Sequence, residues 1–197
     1  MSNSSISTLD IFRRLACSDL PEQQVLEQAT HCRRLKPGDA LFRAGETKSF
    51  VYAVNEGIIK MVYETPNGDS WVKGFAEAGI CFASLTALAD HGATSFSAYA
   101  EVASHVEMID YAALQQLADR HIQWQRAMSN AYKLYGQRKE QREMELLTLS
   151  PQERYRNFLR NYPALATVIR QRDIASYVRV TPVALSRIKS RLKASER

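Results

Sequence analysis

The sequence predicts an α+β protein in which a β-rich first half is followed by one long helix and then by short helices. Three observations carry this prediction. Residues 35–110 contain short runs of Val, Ile, Phe and Tyr that Gly, Asn, Asp or Pro interrupt at short intervals. Residues 122–149 contain no proline and a single glycine, and residues 150–197 contain three prolines, two of which follow a capping residue. Many short strands with regular turns are typical of a β-sandwich or β-barrel.

Length and composition are those of an ordinary globular protein. The chain has 197 residues, of which 45% are hydrophobic and 24% charged, which suits one large domain or two small ones. This composition excludes a disordered tail protein and a collagen-like chain.

The cellular compartment is predicted from three further features. No window approaches the ~18 uninterrupted apolar residues of a membrane span, and the first residues, MSNSSISTLDIF, lack the basic and apolar regions of a secretory signal. Cys17, Cys32 and Cys81 are too few and too unevenly spaced for a disulfide scaffold. We therefore expect a cytoplasmic protein that has no contact with a membrane.

The charge is divided unequally along the chain. Residues 1–119 carry 9 Lys/Arg against 15 Asp/Glu, a net charge of −6, whereas residues 120–197 carry 17 against 6, a net charge of +11. This asymmetry favours two functions, the second on a polyanion such as nucleic acid. A solvated basic helical face is the alternative explanation.

The β-rich half contains one good hairpin signal. Residues 50–54 and 58–63 are strand-like and are separated by Asn55-Glu56-Gly57. The second run is closed by Pro66-Asn67-Gly68-Asp69, in which Asn-Gly supplies the positive φ angles of a tight hairpin turn. A short helix over Pro21–Ala29 is expected before the strands.

The middle of the chain is helical. A short helix is predicted over Ala112–Arg120, with Asp110 near its N-terminus, where a carboxylate favours the helix dipole. A long helix follows over Ile122–Leu149. Four of its residues, spaced by 4, 3 and 4, form an apolar seam that predicts pairing with a second copy: Trp124, Met128, Ala131 and Tyr135. The alternative is that this seam packs only on the β domain.

A new helix begins after Ser150. Serine is a good cap, Pro151 fits the first helical position and Glu153 completes a capping box. This helix is expected to run to Asn161, before Pro163, and we place the domain boundary at about Ser150.

The last 25 residues predict a helix-turn-helix. A short helix over Asp173–Val178 is followed by a turn at 179–181 and by a second helix from Pro182. Thr181 caps that helix, and its inner stripe is Leu185, Ile188 and Leu192. In a DNA-binding helix-turn-helix the second helix enters the major groove.

The outer face of the second helix has the chemistry to read base edges. Arg187 presents a fork of donors for guanine, Ser186 donates or accepts, and Val183 offers methyl groups to thymine. The remaining basic residues are better suited to contact phosphates. The same holds for the pair Gln171-Arg172, which we place ahead of the first helix. The residues expected to contact DNA are Gln171, Arg172, Thr181, Val183, Ser186, Arg187, Lys189, Ser190 and Lys193.

These motifs resemble those of a known family. Residues 171–192, QRDIASYVRVTPVALSRIKSRL, are similar to the C-terminal motif of the cyclic-AMP-receptor/fumarate-nitrate-regulator (Crp/Fnr) transcription factors of bacteria. Residues 35–46, LKPGDALFRAGE, resemble the start of that family's β-roll, and residues 55–60 resemble the hairpin that follows. The resemblance implies a double-stranded β-helix (β-roll) sensor domain over 1–118, a dimerisation helix over 119–149 and a helix-turn-helix domain over 150–197.

The resemblance also locates an effector pocket, from which the chain departs. Cyclic-nucleotide members of the family carry Gly-Glu-Leu and later Arg-Ser/Thr, where the glutamate takes the ribose and the arginine the phosphate. Here the corresponding region is Phe82, Ala83, Ser84 and Leu85, followed by Thr94 and Ser95. A buried phosphate without a cation is costly. A cyclic nucleotide is therefore disfavoured, although backbone N–H groups after Phe82 offer an anion some partners, and any other effector stays unidentified.

No metal ligands and no cofactor are predicted. The three cysteines do not match the four clustered cysteines of iron–sulfur members. The histidines, His31, His91, His105 and His121, are scattered and are expected at the surface or as hydrogen-bonding groups. Cys81 lies near the pocket. Two interpretations of this residue stay open: a redox role, or a small buried apolar residue.

Further departures concern the DNA-reading end. Arg179 stands where the family usually has glycine, so the turn is strained by about 1 kcal/mol or wound differently. Val183 replaces a glutamate of many relatives, which changes the preferred half-site at one base. The β-hairpin wing that usually follows the second helix is expected to be absent.

The sequence therefore predicts a homodimeric, sequence-specific regulator that binds a palindromic double-stranded DNA site, under the control of an unidentified small molecule in the β-roll. RNA polymerase is a candidate partner that the resemblance suggests. Two alternatives stay open. One is a ligand-binding module that acts through protein partners, and the other is a cupin-like metalloenzyme, which the absence of His-x-His disfavours. We expect no enzymatic activity.

Overall fold

The computed structural model describes residues 6–65, 67–89 and 92–195, and within them eight helices and eight strands. The strands are β1 (Thr30–Leu35), β2 (Ala40–Phe42), β3 (Phe50–Glu56), β4 (Ile58–Glu64), β5 (Ser70–Glu77), β6 (Cys81–Phe82), β7 (Ser97–Ala100) and β8 (Ser104–Asp110). The helices are α1 (Thr8–Ala16), α2 (Gln23–Gln28), α3 (Tyr111–Arg120), α4 (Ile122–Thr148), α5 (Pro151–Asn161), α6 (Leu165–Val168), α7 (Gln171–Val178) and α8 (Pro182–Ser195).

Two compact units divide the chain. The first comprises Met1–Asp69 and Lys73–Tyr135, and the second comprises Ser70–Val72 and Gly136–Arg197. The division therefore falls within α4, between Tyr135 and Gly136. No helix among the described residues has both the length and the apolar character needed to cross a bilayer.

The strands form two four-stranded sheets, ordered β1-β8-β3-β6 and β2-β7-β4-β5. Apolar side chains from strands of both sheets, among them Tyr52, Ile59 and Ala98, meet in one apolar core. Phe42 lies at its centre, with ring contacts to Tyr52, Phe82 and Phe96. The α+β prediction with an N-terminal β-roll is confirmed.

The two strands around Gly57 differ from the expected hairpin. β3 pairs with β8 and β6, whereas β4 pairs with β7, so the chain changes sheet at this single glycine. Gly57 has φ +89°, and a Cβ there would lie 2.6 Å from the Ala103 carbonyl oxygen. The local sequence signals a tight turn, but it does not reveal that the turn joins two sheets. The hairpin predicted at Asn67-Gly68 is confirmed, since β4 and β5 are neighbours.

The N-terminal segment forms two helices, of which the sequence prediction had only the second. α1 is capped by Ser7, whose side chain accepts a hydrogen bond from the Asp10 N–H. Ile11 and Phe12 of α1 are buried in a second apolar cluster together with Leu114 of α3 and Trp124 of α4. This cluster covers the outer face of β3, where Ala53 belongs to it.

The assignment of Trp124 to a dimer seam is wrong. Its side chain is fully buried within the first unit, its ring lies 5.6 Å from that of Phe12, and its Nε1 donates to the Pro21 carbonyl at 2.8 Å. Met128 also packs partly against this cluster. Heptad spacing indicates which face of a helix is apolar but not which surface covers it. Ala131 and Tyr135 keep part of their surface exposed.

The predicted helices match the observed ones closely. α3 and α4 begin and end within one residue of the predicted bounds. At the start of α5 the full capping box is present, with the Ser150 side chain and the Glu153 carboxylate each accepting from the other's backbone N–H. α5 ends at Asn161, as predicted from the position of Pro163.

Candidate nucleic-acid interface

The turn between α7 and α8 is tight because Arg179 adopts a left-handed conformation, with φ +63° and ψ +50°. The N–H of Val180 donates to the Ala175 carbonyl at 3.0 Å, and the N–H of Arg179 donates to that of Ser176 at 3.1 Å. These bonds satisfy carbonyls at the end of α7. In most helices that end in this way, the residue in the left-handed conformation is a glycine. The positive φ expected for this position is therefore observed on an arginine.

The second helix starts as its sequence predicts. The Thr181 hydroxyl accepts from the Ala184 N–H at 3.2 Å, and the Leu185 N–H donates to the Thr181 carbonyl at 2.9 Å. Pro182 occupies the first helical position, where its missing N–H leaves no bond unmade.

The two faces of α8 differ sharply in exposure. Leu185, Ile188 and Leu192 are all buried and pack the helix against its own unit. Five predicted contact residues of α8 are exposed, with Val183 at 63% the most unusual because it is apolar: Val183, Ser186, Arg187, Ser190 and Lys193. Thr181, at the start of the helix, is exposed as well.

The remaining predicted contact residues lie where α7 and α8 meet. Gln171 and Arg172 form the first turn of α7 and do not precede the helix, which corrects their expected position. Lys189 is partly buried and donates from Nζ to Gln171 Oε1 at 2.7 Å, so its ammonium group is held close to α7. Arg172 is largely exposed, with its Nε 3.9 Å from the Asp173 carboxylate.

Two arginines that the sequence analysis did not assign to the site hold α7 in place. Arg142 of α4 lies with its guanidinium carbon 4.0 Å from the Tyr177 ring centroid and donates to the Tyr177 carbonyl. Arg154 of α5 donates to the Val178 carbonyl at 2.9 Å. Both carbonyls belong to the last turn of α7, where backbone acceptors have no helical partner. No local signal marks these arginines, because their partners are distant in sequence.

A buried carboxylate joins this group. Glu145 is 5% exposed, and its Oε1 accepts from Gln141 at 3.2 Å and from Asn157 at 3.1 Å, while Oε2 lies 3.8 Å from Arg142. Burial, and then the positive charge of Arg142, lowers the pKa of Arg154. Burial likewise raises the pKa of Tyr177 well above its usual value. A buried carboxylate needs such partners, so the end of α4 is bound to α5 by polar contacts.

The predicted effector region is brought together by Ser84. Its buried hydroxyl lies 3.4 Å from the Ser95 hydroxyl, accepts from the Ser95 N–H at 3.0 Å and is 3.0 Å from Thr86 Oγ1. Thr94 is buried and donates to the Arg43 carbonyl at 2.6 Å.

The other three residues of that region differ in their surroundings. Phe82 stacks on Tyr52 at 5.3 Å, Leu85 is 40% exposed, and Ala83 is partly buried. The six predicted residues thus carry no charge, and their buried hydroxyls already have partners. None of these six residues has a cationic side chain that could bind a phosphate.

One group of side chains among the described residues lies close enough together to hold a metal ion: Cys32, His105 and Glu107. Cys32 and Glu107 are directly paired across β1 and β8. Burial, and then the Glu107 carboxylate, raises the pKa of the Cys32 thiol. The sequence analysis assigned no role to these residues, since they meet only through the strand register.

Comparison with known proteins supports this architecture. The family described as cyclic nucleotide-binding domain matches residues 32–121. Among curated proteins, none matches this chain in sequence.

Solved structures match over nearly the whole chain. FixK2 from Bradyrhizobium japonicum has a TM-score of 0.75 and 19% identity, covering 85% of this chain and 86% of its own. The c-di-GMP-responsive global regulator CLP of Xanthomonas campestris has a TM-score of 0.70 and 16% identity, covering 88% and 91%. The catabolite activator protein of Thermus thermophilus has a TM-score of 0.56 and 20% identity, covering 92% and 87%. The chain therefore carries a cyclic nucleotide-binding domain at residues 32–121 and shares the fold of these solved structures.

Proposed function

We propose that this protein is a transcription regulator that binds a specific double-stranded DNA sequence as a homodimer, through α7 and α8. The observation that supports this most directly is the exposed outer face of α8. There Arg187, Ser186 and Val183 stand free of the unit's core, while Leu185 and Ile188 fix the helix from behind. A helix that is held rigidly along one face and exposes donors along the other suits insertion into the major groove.

The exposed side chains divide into base-reading and phosphate-binding groups. Arg187 reads guanine through its two parallel donors, and Val183 packs on a thymine methyl. Lys193 and the largely exposed Arg172 neutralise phosphates and so position the helix without reading sequence. Lys189 contacts phosphate only after its bond to Gln171 is exchanged, so its contribution is smaller.

Homodimerisation is proposed through α4, at the C-terminal part of the predicted seam. Trp124 is buried in the unit's own core, but Ala131 and Tyr135 are partly exposed, and Tyr132 beside them is 43% exposed. A two-fold dimer of this kind is expected to read a palindrome whose half-site centres lie about one DNA turn apart. The relatives are regulators by their names, a global regulator and a catabolite activator.

The effector belongs to the same proposal. We place it in the region of Phe82–Leu85 and Thr94–Ser95, with Ser84 at its centre. The uncharged lining disfavours a cyclic nucleotide bound through its phosphate, although the Xanthomonas relative is described as c-di-GMP-responsive.

The test is the affinity of Arg187→Ala for a palindrome selected from a random pool and for a scrambled duplex of equal length. Loss of a bidentate guanine contact is expected to weaken binding to the palindrome by about 5- to 150-fold and to leave the scrambled duplex almost unchanged. Arg156→Ala is the matched control, because Arg156 is an exposed arginine on α5 of the same unit. Equal losses on both duplexes would refute base reading by Arg187.

The dimer is tested by sedimentation of the same protein at micromolar concentration. We expect a dimer that binds one palindrome. A monomer with no affinity for any duplex would overturn the proposed function as a whole.

A further inference from the structure

We propose that Cys32, His105 and Glu107 form a binding site for a zinc ion on the outer face of the pair β1 and β8. The site lies in the first unit and is independent of the DNA-reading helices. It is assigned from three chemically different ligands that the sheet register brings together.

The register makes the group compact. Cys32 is the pairing partner of Glu107, and His105 lies two residues before Glu107 on β8, on the same side of the strand. The ligating atoms of all three side chains lie within 4.8 Å of one another. The Cys32 thiol donates to Glu107 Oε1 across 3.8 Å. Tetrahedral zinc with ordinary bond lengths requires a sulfur–oxygen separation of about 3.5 Å, so small side-chain adjustments are sufficient.

The Glu107 carboxylate is already oriented by the protein. Its Oε2 accepts from Asn55 Nδ2 at 3.0 Å and from the Thr8 hydroxyl, and both of these residues are buried. Oε1 is thereby directed towards Cys32. Partners that fix a ligand from behind are a regular feature of protein metal sites. An ordinary exposed acidic group has no such support.

The donor set selects the class of metal. A thiolate, an imidazole and a carboxylate suit zinc, whereas Mg²⁺ and Ca²⁺ prefer oxygen ligands alone. On binding, the metal–sulfur bond replaces the S–H bond and the proton leaves to solvent, so thiolate and carboxylate together balance the two positive charges. Arg34, the pairing partner of His105, adds a positive charge to this face that opposes the cation. Three protein ligands leave a fourth position for water.

The test uses the full chain and Co²⁺, whose thiolate complex gives a charge-transfer band in the near ultraviolet. We expect one equivalent of Co²⁺ to produce this band and one equivalent of Zn²⁺ to abolish it. Cys32→Ser should remove the band, and the matched variant Cys17→Ser should retain it, since Cys17 is also an exposed cysteine. The absence of the band in the unaltered protein, its persistence in Cys32→Ser or its loss in Cys17→Ser would overturn the site.

Two further variants separate ligation from chance capture by a thiol. His105→Gln should weaken Co²⁺ binding by about tenfold or more, whereas His31→Gln, an exposed histidine of β1, should not. Thr8→Val, which leaves all three ligands in place, should weaken binding by about 10- to 100-fold through loss of the carboxylate's orientation. Unchanged affinity in His105→Gln would reduce the site to a reactive cysteine and refute the proposal.

Discussion

Arg142 of α4 lies over the ring of Tyr177 of α7, with the guanidinium carbon 4.0 Å from the ring centroid, and it also donates to the Tyr177 backbone carbonyl. One side chain thus contacts both the ring and the backbone of a residue in the last turn of α7. The polar end of α4, where the apolar seam stops, thus supplies a contact to α7 within the second unit.

Removing this contact should loosen the second unit. Arg142→Ala is expected to lower the free energy of unfolding by about 1–3 kcal/mol, from one cation–π contact and one hydrogen bond to a backbone acceptor. Denaturant unfolding of the full chain measures the change. Lys139→Ala, an exposed position of the same helix, is the control and should change stability by less than about 0.5 kcal/mol. Equal effects of both variants would contradict the role given to Arg142.

The cap at Thr181 should matter for stability and for DNA affinity together. Thr181→Ala removes the acceptor for the Ala184 N–H and is expected to cost about 0.5–2 kcal/mol. Thr181→Ser keeps the hydroxyl and should restore most of that loss. Unfolding curves and duplex affinity are measured on both variants. If serine behaves like alanine, the threonine acts through its methyl group and not as a cap.

Gly57 should tolerate a side chain poorly. Gly57→Ala places a Cβ 2.6 Å from the Ala103 carbonyl oxygen and 2.7 Å from the Ser104 Cα, in a backbone conformation that alanine resists. The conformation and the overlap are each expected to cost about 1–3 kcal/mol.

Gly38→Ala is the matched control for this clash. Gly38 has φ +90°, but a Cβ there meets no atom within 4 Å. It should therefore show only the conformational part of the cost, and equal thermal unfolding of the two variants would show that packing at Gly57 is irrelevant.

The capping box of α5 should make stability depend on acid pH. The hydrogen bond from the Ser150 hydroxyl, followed by that from its N–H, holds the pKa of Glu153 below its ordinary value. A lowered folded-state pKa stabilises the fold above the unfolded pKa, and that stabilisation is lost as pH falls through the folded pKa. Unfolding from about pH 6 to about pH 3 covers this window.

Glu153→Gln is the matched variant for that measurement, because glutamine keeps the box but does not titrate. The stability difference between the two proteins should shrink towards acid pH. A difference that is constant with pH would exclude Glu153 as the titrating group.

Lys193 should contribute charge and not sequence specificity. Lys193→Ala is expected to weaken binding to palindrome and scrambled duplex alike and to reduce the slope of log affinity against log salt by about 1. Affinities at several salt concentrations provide the slope. A change confined to the palindrome would make Lys193 a base-reading residue.

Much of the local structure was predictable from short-range patterns. The capping box at Ser150, the hairpin at Asn67-Gly68 and the start of α8 at Thr181 depend on neighbours within four residues. The buried stripe of α8 followed from spacing, and the helix at Thr8–Ala16 had its own overlooked signal, a serine cap followed by an aspartate in the first turn. These features are decided by backbone hydrogen bonds and side-chain reach, which a linear sequence records.

Contacts between distant segments were decided by the tertiary structure alone. The apolar spacing around Trp124 is the same whether the residue faces a partner or its own core, and only the presence of Phe12 of α1 decides for the core. Cys32 and Glu107 meet because β1 pairs with β8 in one register, and a shift of one residue would direct them to opposite faces. The formation and the ends of a helix are determined by interactions between residues close in sequence. Which residues cover a buried side chain depends instead on which surfaces the folded chain brings together.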